Sequence, residues 1–390
     1  MNIGRIYLDL CSLAVFSSLL EKPLLRHFFE YAKATDTDEK LLSYSAFVSE
    51  IYKGGASLTD LVQNLVFENE NVYVRAASNM EKVKKCLWDS TRRELDILSD
   101  FASLTCDDFR ADIGPGIALA DFESEQRDIK TEYENRLGNI GRYGYGIFAT
   151  NGMFAVGDDG AIRPITSADR ISLDRFVGYK EERQKVLGNT EAFLSGRPAA
   201  NILLYGDAGT GKSSTVKAVA NHFFDRGLRL IEIRKNQLLL LPKVMDEISE
   251  NPLKFIIFID DLSFSSGDDN YSMLKAILEG SASARAKNAV IYATSNRRHI
   301  VKETFSERTG DDIHRNDTLQ ENLSLSERFG LTVLFAKPEK KLYLEIIEEL
   351  AERRGLDIPK EKLFTEAEAF ALKRGYRSAR CAEQFIDSLM

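Results

Sequence analysis

The apolar positions change rhythm twice along the chain. From Met80 to Phe101, Met80, Val83, Leu87, Leu95, Leu98 and Phe101 mostly recur at three- or four-residue spacing or its multiples. That spacing marks one helix face and predicts a mainly helical region over residues 1–120. Leu10 to Leu20 reads as a core helix in that region, and Trp88 as a core or domain-interface anchor. The charged stretch Asp121–Arg136 predicts a connecting helix, which the Gly- and Tyr-rich Gly138–Gly146 interrupts. Gly146–Ile165 predicts short strands, with Gly157-Asp158-Asp159-Gly160 as the tight turn of a hairpin. After Arg170 come five apolar, often β-branched runs: Asn201–Tyr205, Leu228–Ile233, Phe255–Ile259, Ala289–Thr294 and Leu331–Phe335. Continuous apolar runs alternating with helical segments predict a parallel sheet covered on both faces. From Pro338 onward only helical patterns remain, over Glu339–Arg353, Lys360–Lys373 and Ser378–Leu389. The fold class expected is therefore α/β: a five-stranded parallel sheet, a C-terminal helical subdomain and a mainly helical N-terminal domain. The boundaries expected are 1–140 for the helical domain and 141–170 for a β-hairpin linker. The α/β subdomain then takes 171–337, and the helical one 338–390.

A chain of 390 residues with 44% hydrophobic content is too long for one ordinary core and too apolar for global disorder. The net charge of −8 arises wholly within residues 1–170, while 171–390 is balanced. An acidic first half argues against an N-terminal nucleic-acid-binding arm. Lys82, Lys84, Lys85, Arg92 and Arg93 read as a solvated helix face. Cys11, Cys86, Cys106 and Cys381 form no C-x-x-C pair and read as buried small apolar residues in a reducing, cytoplasmic compartment. Leu10–Leu20 is flanked by Asp9 and Glu21-Lys22, which argues against a secretion signal, and no stretch reaches the ~20 apolar residues of a membrane span.

Gly206-Asp-Ala-Gly-Thr-Gly211-Lys212-Ser213 fits G-x-x-x-x-G-K-[ST] at every fixed position, after a predicted strand and opening a predicted helix. Such glycines let the backbone curl until several N–H groups point at phosphate oxygens, and the helix adds its positive dipole end. Gly206, Asp207, Ala208, Gly209, Thr210, Gly211, Lys212, Ser213 and Ser214 are thus the expected nucleotide cradle. Lys212 is expected to reach the β- and γ-phosphates without packing against anything essential, and the Ser213 hydroxyl to ligate Mg²⁺. Phe255–Ile259 delivers Asp260 and Asp261 to the carboxyl edge of the sheet, where ligands of open α/β sheets bind. There Asp260 would hold Mg²⁺ through water and Asp261 would polarise the attacking water. Asn296, ending Tyr292-Ala-Thr-Ser-Asn296, could hold that water or the γ-phosphate.

These elements together resemble the AAA+ superfamily over about residues 140–390. The chain is most similar to a bacterial AAA+ family of unknown function. The likeness rests on Asp-Asp-Leu-Ser-Phe at 260–264, Tyr-Ala-Thr-Ser-Asn-Arg-Arg-His at 292–299 and Leu-Ser-Glu-Arg-Phe-Gly-Leu at 325–331. The resemblance implies an ATP- and Mg²⁺-dependent ATPase whose C-terminal helices act as a lid. Phe176 and Val177 of Phe176-Val-Gly-Tyr179 match the segment that contacts adenine. Asn296 matches the first sensor, and Arg328 the arginine finger that acts on ATP held by a neighbouring subunit. Arg380 matches the second sensor, with Arg377 the lesser candidate. Two departures qualify the match. Asp261 stands where many AAA+ proteins carry glutamate, which implies slow hydrolysis. Arg234-Lys-Asn-Gln-Leu-Leu-Leu-Leu241 stands where protein-unfolding rings carry an aromatic pore loop, which disfavours peptide threading.

The leading functional reading is an ATPase that assembles into a homo-oligomer with shared ATP sites and remodels or loads a protein partner chosen by the N-terminal domain. A second is a nucleotide-gated binding module with little turnover. A third is a DNA-binding replication or recombination factor, suggested by the Ser-Glu-Arg-Phe-Gly stretch, which is similar to one in the bacterial replication initiator. Its basic candidates are Arg234-Lys235, Arg285 with Lys287, and Arg297-Arg298-His299.

Overall fold

A computed structural model describes residues 2–114, 116–165, 171–264, 269–279, 286–296 and 327–390. Two of the basic clusters lie outside the described residues in whole or part: Arg297-Arg298-His299, and Arg285 of its pair with Lys287. So do residues 325 and 326 of the Leu-Ser-Glu-Arg-Phe-Gly-Leu stretch. The chain forms two compact units, Met1–Thr150 and Asn151–Met390.

The described residues of the first unit form helices: α1 (Ile3–Leu10), α2 (Pro23–Lys33), α3 (Thr37–Lys53), α4 (Leu58–Phe67), α5 (Val72–Ser78), α6 (Lys85–Ala102), α7 (Cys106–Ile113), α8 (Ile129–Gly138) and α9 (Ile140–Tyr143). Side-chain oxygens start several of them. Asp36, Ser57 and Asn71 cap α3, α4 and α5, and Thr105 with Asp108 makes a reciprocal capping box on α7. The core is aromatic, with Phe109 in contact with Phe28, Tyr31, Tyr44, Phe47 and Phe122.

Several expectations need correction here. Leu10–Leu20 is not one helix: α1 ends at Leu10 and a 3-10 turn covers Ser17–Glu21. Leu10, Leu13, Phe16 and Leu19 are nevertheless all buried. Glu94 of α6 holds this segment, since its fully buried carboxylate accepts N–H bonds from Ala14 at 3.0 Å, Val15 at 2.9 Å and Phe16 at 3.0 Å. Glu94→Ala strips a buried turn of its acceptor and is expected to cost about 3 kcal/mol in urea unfolding. A loss below about 1 kcal/mol would mean that water replaces the carboxylate.

The helix read over Met80–Phe101 begins only at Lys85, because Met80 has φ +56° and lies 95% exposed. Trp88 is no core anchor, being 41% exposed with the Arg92 guanidinium stacked 4.7 Å from its ring. Asp121–Arg136 contributes a helix only from Ile129, and Cys11 and Cys86 are exposed rather than buried.

The second unit holds seven described strands in one sheet, not five. They are β1 (Met153–Val156), β2 (Ile162–Pro164), β3 (Ile202–Gly206), β4 (Leu228–Glu232), β5 (Lys254–Ile259), β6 (Ala289–Ser295) and β7 (Leu331–Phe335), ordered β2-β1-β4-β5-β6-β3-β7. The five apolar runs form β3 to β7, all parallel. The two extra strands are the hairpin, whose β1 pairs parallel to β4 while β2 runs antiparallel to β1. It belongs to the sheet and does not serve as a linker. Helices α10 (Lys180–Leu194), α11 (Lys212–His222), α12 (Leu241–Ser249) and α13 (Asp269–Glu279) lie between strands in sequence. The last three, α14 (Lys340–Arg353), α15 (Lys360–Arg374) and α16 (Ala379–Asp387), share a core of their own around Tyr343, Ile347, Ala367 and Phe385, which Val177 joins. Among the described residues no helix is long and apolar enough to cross a membrane.

Candidate functional site

Strand β3 delivers the chain to the site at Gly206. Its φ is +134°, and a Cβ there would sit 2.1 Å from the Phe335 carbonyl oxygen, so this close strand approach demands glycine. The loop that follows is anchored at both ends. The Asp207 carboxylate accepts from the Lys337 backbone N–H at 2.9 Å, and the Thr210 hydroxyl donates to the Asp207 carbonyl at 2.9 Å. Helix α11 starts at Lys212 with no side-chain cap, leaving its first-turn N–H groups for an anion.

Lys212 is only 6% exposed. Its ammonium donates to the Gly206 carbonyl at 2.9 Å, the Asp207 carbonyl at 2.7 Å and Asn296 Oδ1 at 3.2 Å. Burial pulls its pKa below the usual lysine value, against the opposing pull of the Asp207, Asp260 and Asp261 carboxylates. The side chain is a desolvated cation held by three acceptors.

Beside it, β5 and β6 bring their carboxyl ends together, with Ile259 opposite Ala293. The Ser213 hydroxyl donates to Asp260 Oδ1 at 2.6 Å, and the Thr294 hydroxyl donates to the same oxygen at 2.5 Å. Thr294 also accepts from the Asp261 N–H at 3.0 Å. Asp261 takes φ +51°, a left-handed conformation uncommon outside glycine, asparagine and aspartate. Its carboxylate accepts from the Asn296 side-chain amide at 2.8 Å. Asn296 therefore bridges Lys212 to Asp261, and Thr294 fixes Asp260 relative to Asp261. Thr294 was not singled out from the sequence; its signal was a hydroxyl, 2% exposed, near the carboxyl end of β6, with Ser295 after it. Ser213 and Asp260 form a hard oxygen pair open to solvent, which suits Mg²⁺, an ion that keeps several waters and takes few protein ligands.

A crevice next to this cluster is lined by Phe176, Val177, Gly209, Ser214 and Arg380. The Arg183 guanidinium stands 5.2 Å from the Phe176 ring and donates to the Gly178 carbonyl. Arg380 opens α16, and its backbone N–H donates to the Gly209 carbonyl at 3.1 Å. Arg377 is spent elsewhere, paired with Glu368 at 3.0 and 3.2 Å. Arg328 is not brought to the cluster. Leu331 pairs with Ile202 at the start of β3, while Phe335 pairs with Gly206 at its end, so Arg328 lies beyond the opposite edge of the sheet. There its guanidinium is held by Glu279, with Nε 2.6 Å from Oε1.

The family model described as "Protein of unknown function (DUF815)" matches residues 150–390. The chain belongs to this family. The DUF815 region contains every residue of the cluster. Chaperone protein ClpB 2 of Parasynechococcus marenigrum (strain WH8102) is 28% identical over 236 residues, covering 55% of this chain and 24% of the chaperone. The chain thus spans about a quarter of the length of that curated relative. Among solved structures, the Thermotoga maritima RuvB Holliday junction branch migration motor is 14% identical, with a TM-score of 0.33, covering 56% of this chain and 72% of RuvB. Two variants of the same RuvB give TM-scores of 0.34 at the same identity and coverage.

Proposed function

We propose that the chain is a cytoplasmic Mg-ATP-dependent ATPase that couples nucleotide binding and hydrolysis to the assembly or remodelling of a partner. The observation that carries this reading is the pair of hydrogen-bonded linkages Lys212–Asn296–Asp261 and Ser213–Asp260–Thr294, set beside an uncapped helix N-terminus. Lys212 and the first-turn N–H groups of α11 bind and orient the phosphates. Mg²⁺, when bound, would neutralise phosphate charge, and Ser213 and Asp260 would hold it. Asp261 takes a hydrogen bond from the attacking water, and Asn296 positions that carboxylate. Phe176 and Val177 receive the base, and Arg380 reaches the phosphates from the C-terminal helices, which act as a lid. Arg328, lying at the far edge, serves a neighbouring copy in a homo-oligomer, and residues 1–140 choose the protein partner.

A second reading is a nucleotide-gated module with little turnover. It is favoured by the short Asp261 side chain already bonded to Asn296. Asp260→Ala and Asp261→Asn separate the readings when ATP affinity and phosphate release are measured together. For an ATPase, Asp260→Ala loses metal-dependent binding as well as turnover, whereas Asp261→Asn keeps binding and slows release about 10²-fold or more. Wild-type chain that binds Mg-ATP but releases no phosphate supports the gated module. Equal loss of binding in both variants overturns the division of roles.

A further inference from the structure

The crevice beside the phosphate loop contains a charged group for which the roles above have no use. Glu383 lies three residues after Arg380 on α16, hence on the same helix face, and both side chains line the crevice. The opposite wall is apolar, from Ile346 and Leu350 of α14. Among the described residues, no hydrogen bond or ion pair reaches the Glu383 carboxylate. Partial desolvation in the crevice, with Asp387, raises the carboxyl above its ordinary value against the pull of Arg380 and Arg354, although the residue is exposed overall. Glu383 is therefore an exposed carboxylate on the crevice wall with no protein donor, and a ligand's donor can replace its hydrating water.

The fold fixes where such a donor would stand. The first turn of α16 is seated on the phosphate loop, through the Arg380 N–H to Gly209 carbonyl bond and the approach of Ser378 and Arg380 to Gly209. Glu383 is three residues beyond Arg380, roughly 4.5 Å along the axis. It follows the phosphate-facing turn and precedes the apolar wall suited to a base. A carboxylate there repels phosphate, and a hydroxyl is the donor it can take. Resting on the nucleotide reading above, we infer that Glu383 is a specificity residue whose carboxylate accepts a hydrogen bond from a ribose hydroxyl of the bound nucleotide.

The test is calorimetric titration of the full chain and its Glu383→Ala and Glu383→Gln variants with Mg-ATP, 2′-deoxy-ATP and 3′-deoxy-ATP. Wild type is expected to prefer ATP over one of the deoxy analogues by about tenfold, or about 1.4 kcal/mol, and which analogue suffers identifies the hydroxyl. Glu383→Ala should bind ATP about tenfold more weakly and no longer discriminate, and Glu383→Gln, which keeps a neutral acceptor, should fall between. The ratio between nucleotides on one preparation does not depend on the folded fraction. Equal wild-type affinity for all three nucleotides, or discrimination surviving in Glu383→Ala, overturns the inference while leaving the ATP site standing. Failure of wild type to bind ATP at all overturns the site and this inference together.

Discussion

Subunits carrying Arg328→Ala are expected to bind ATP with wild-type affinity and to hydrolyse it about 10³–10⁵-fold more slowly, the range over which an arginine finger neutralises transition-state charge. The strand register supplies the reason to look in trans. Phe335 of β7 sits beside Gly206 at the phosphate loop, while Arg328 precedes the other end of the same strand. A side chain at that edge cannot serve its own site. Mixing Arg328→Ala with Lys212→Ala subunits creates interfaces with an intact Lys212 on one side and an intact Arg328 on the other, so activity should partly return although neither variant works alone. Absence of rescue in demonstrated mixed oligomers rejects the trans role. The Glu279 carboxylate that holds Arg328 in the isolated chain would have to release it on assembly.

Lys212→Ala is expected to weaken Mg-ATP binding by about 10²–10⁴-fold, the loss of two charge-assisted bonds to phosphate at about 1.5–3 kcal/mol each. The nucleotide-free fold should not suffer. Burial disfavours the charged form of Lys212, so removing it relieves a desolvation cost that offsets the loss of its bond to the Gly206 carbonyl. The Thr210 hydroxyl still donates to the Asp207 carbonyl, and Asn296 still holds Asp261. The melting temperature without ligand should stay close to wild type, while the ATP-induced rise in melting temperature disappears. Titration within tenfold of wild-type affinity would remove Lys212 from the phosphate site.

The phosphate loop was legible in the sequence because its requirements are local. Glycines, lysine and serine at fixed spacing between a strand and a helix determine the backbone path without help from distant residues. The runs of β4 to β6 were legible for a related reason, since burial on both faces leaves a continuous apolar signature, while the edge strand β7 buries only Val333 and Phe335. What sequence reading missed depends on partners far along the chain. The three-residue spacing from Leu10 to Leu19 suits a helix as well as a turn, and Glu94, some 80 positions away, holds the turn. The hairpin was visible, but its pairing with β4 was not, because a hydrogen-bond ladder carries no side-chain signature. Thr294 escaped because its partner Asp260 lies 34 positions away, and the bond from Lys212 to Asn296 escaped because it spans 84.

The place of the hairpin in the sheet bears on how the chain behaves at high concentration. Four consecutive residues of β4 are buried, and without β1 that apolar strand would face solvent with a free ladder of N–H and C=O groups, a template for strand addition by another molecule. Instead β1 covers it, and the sheet ends in β2, only three residues long and closed by Pro164, which has no N–H to offer. A stub of that kind presents too few pairing groups to seed intermolecular β-structure, so the hairpin shields the sheet from self-association along this edge.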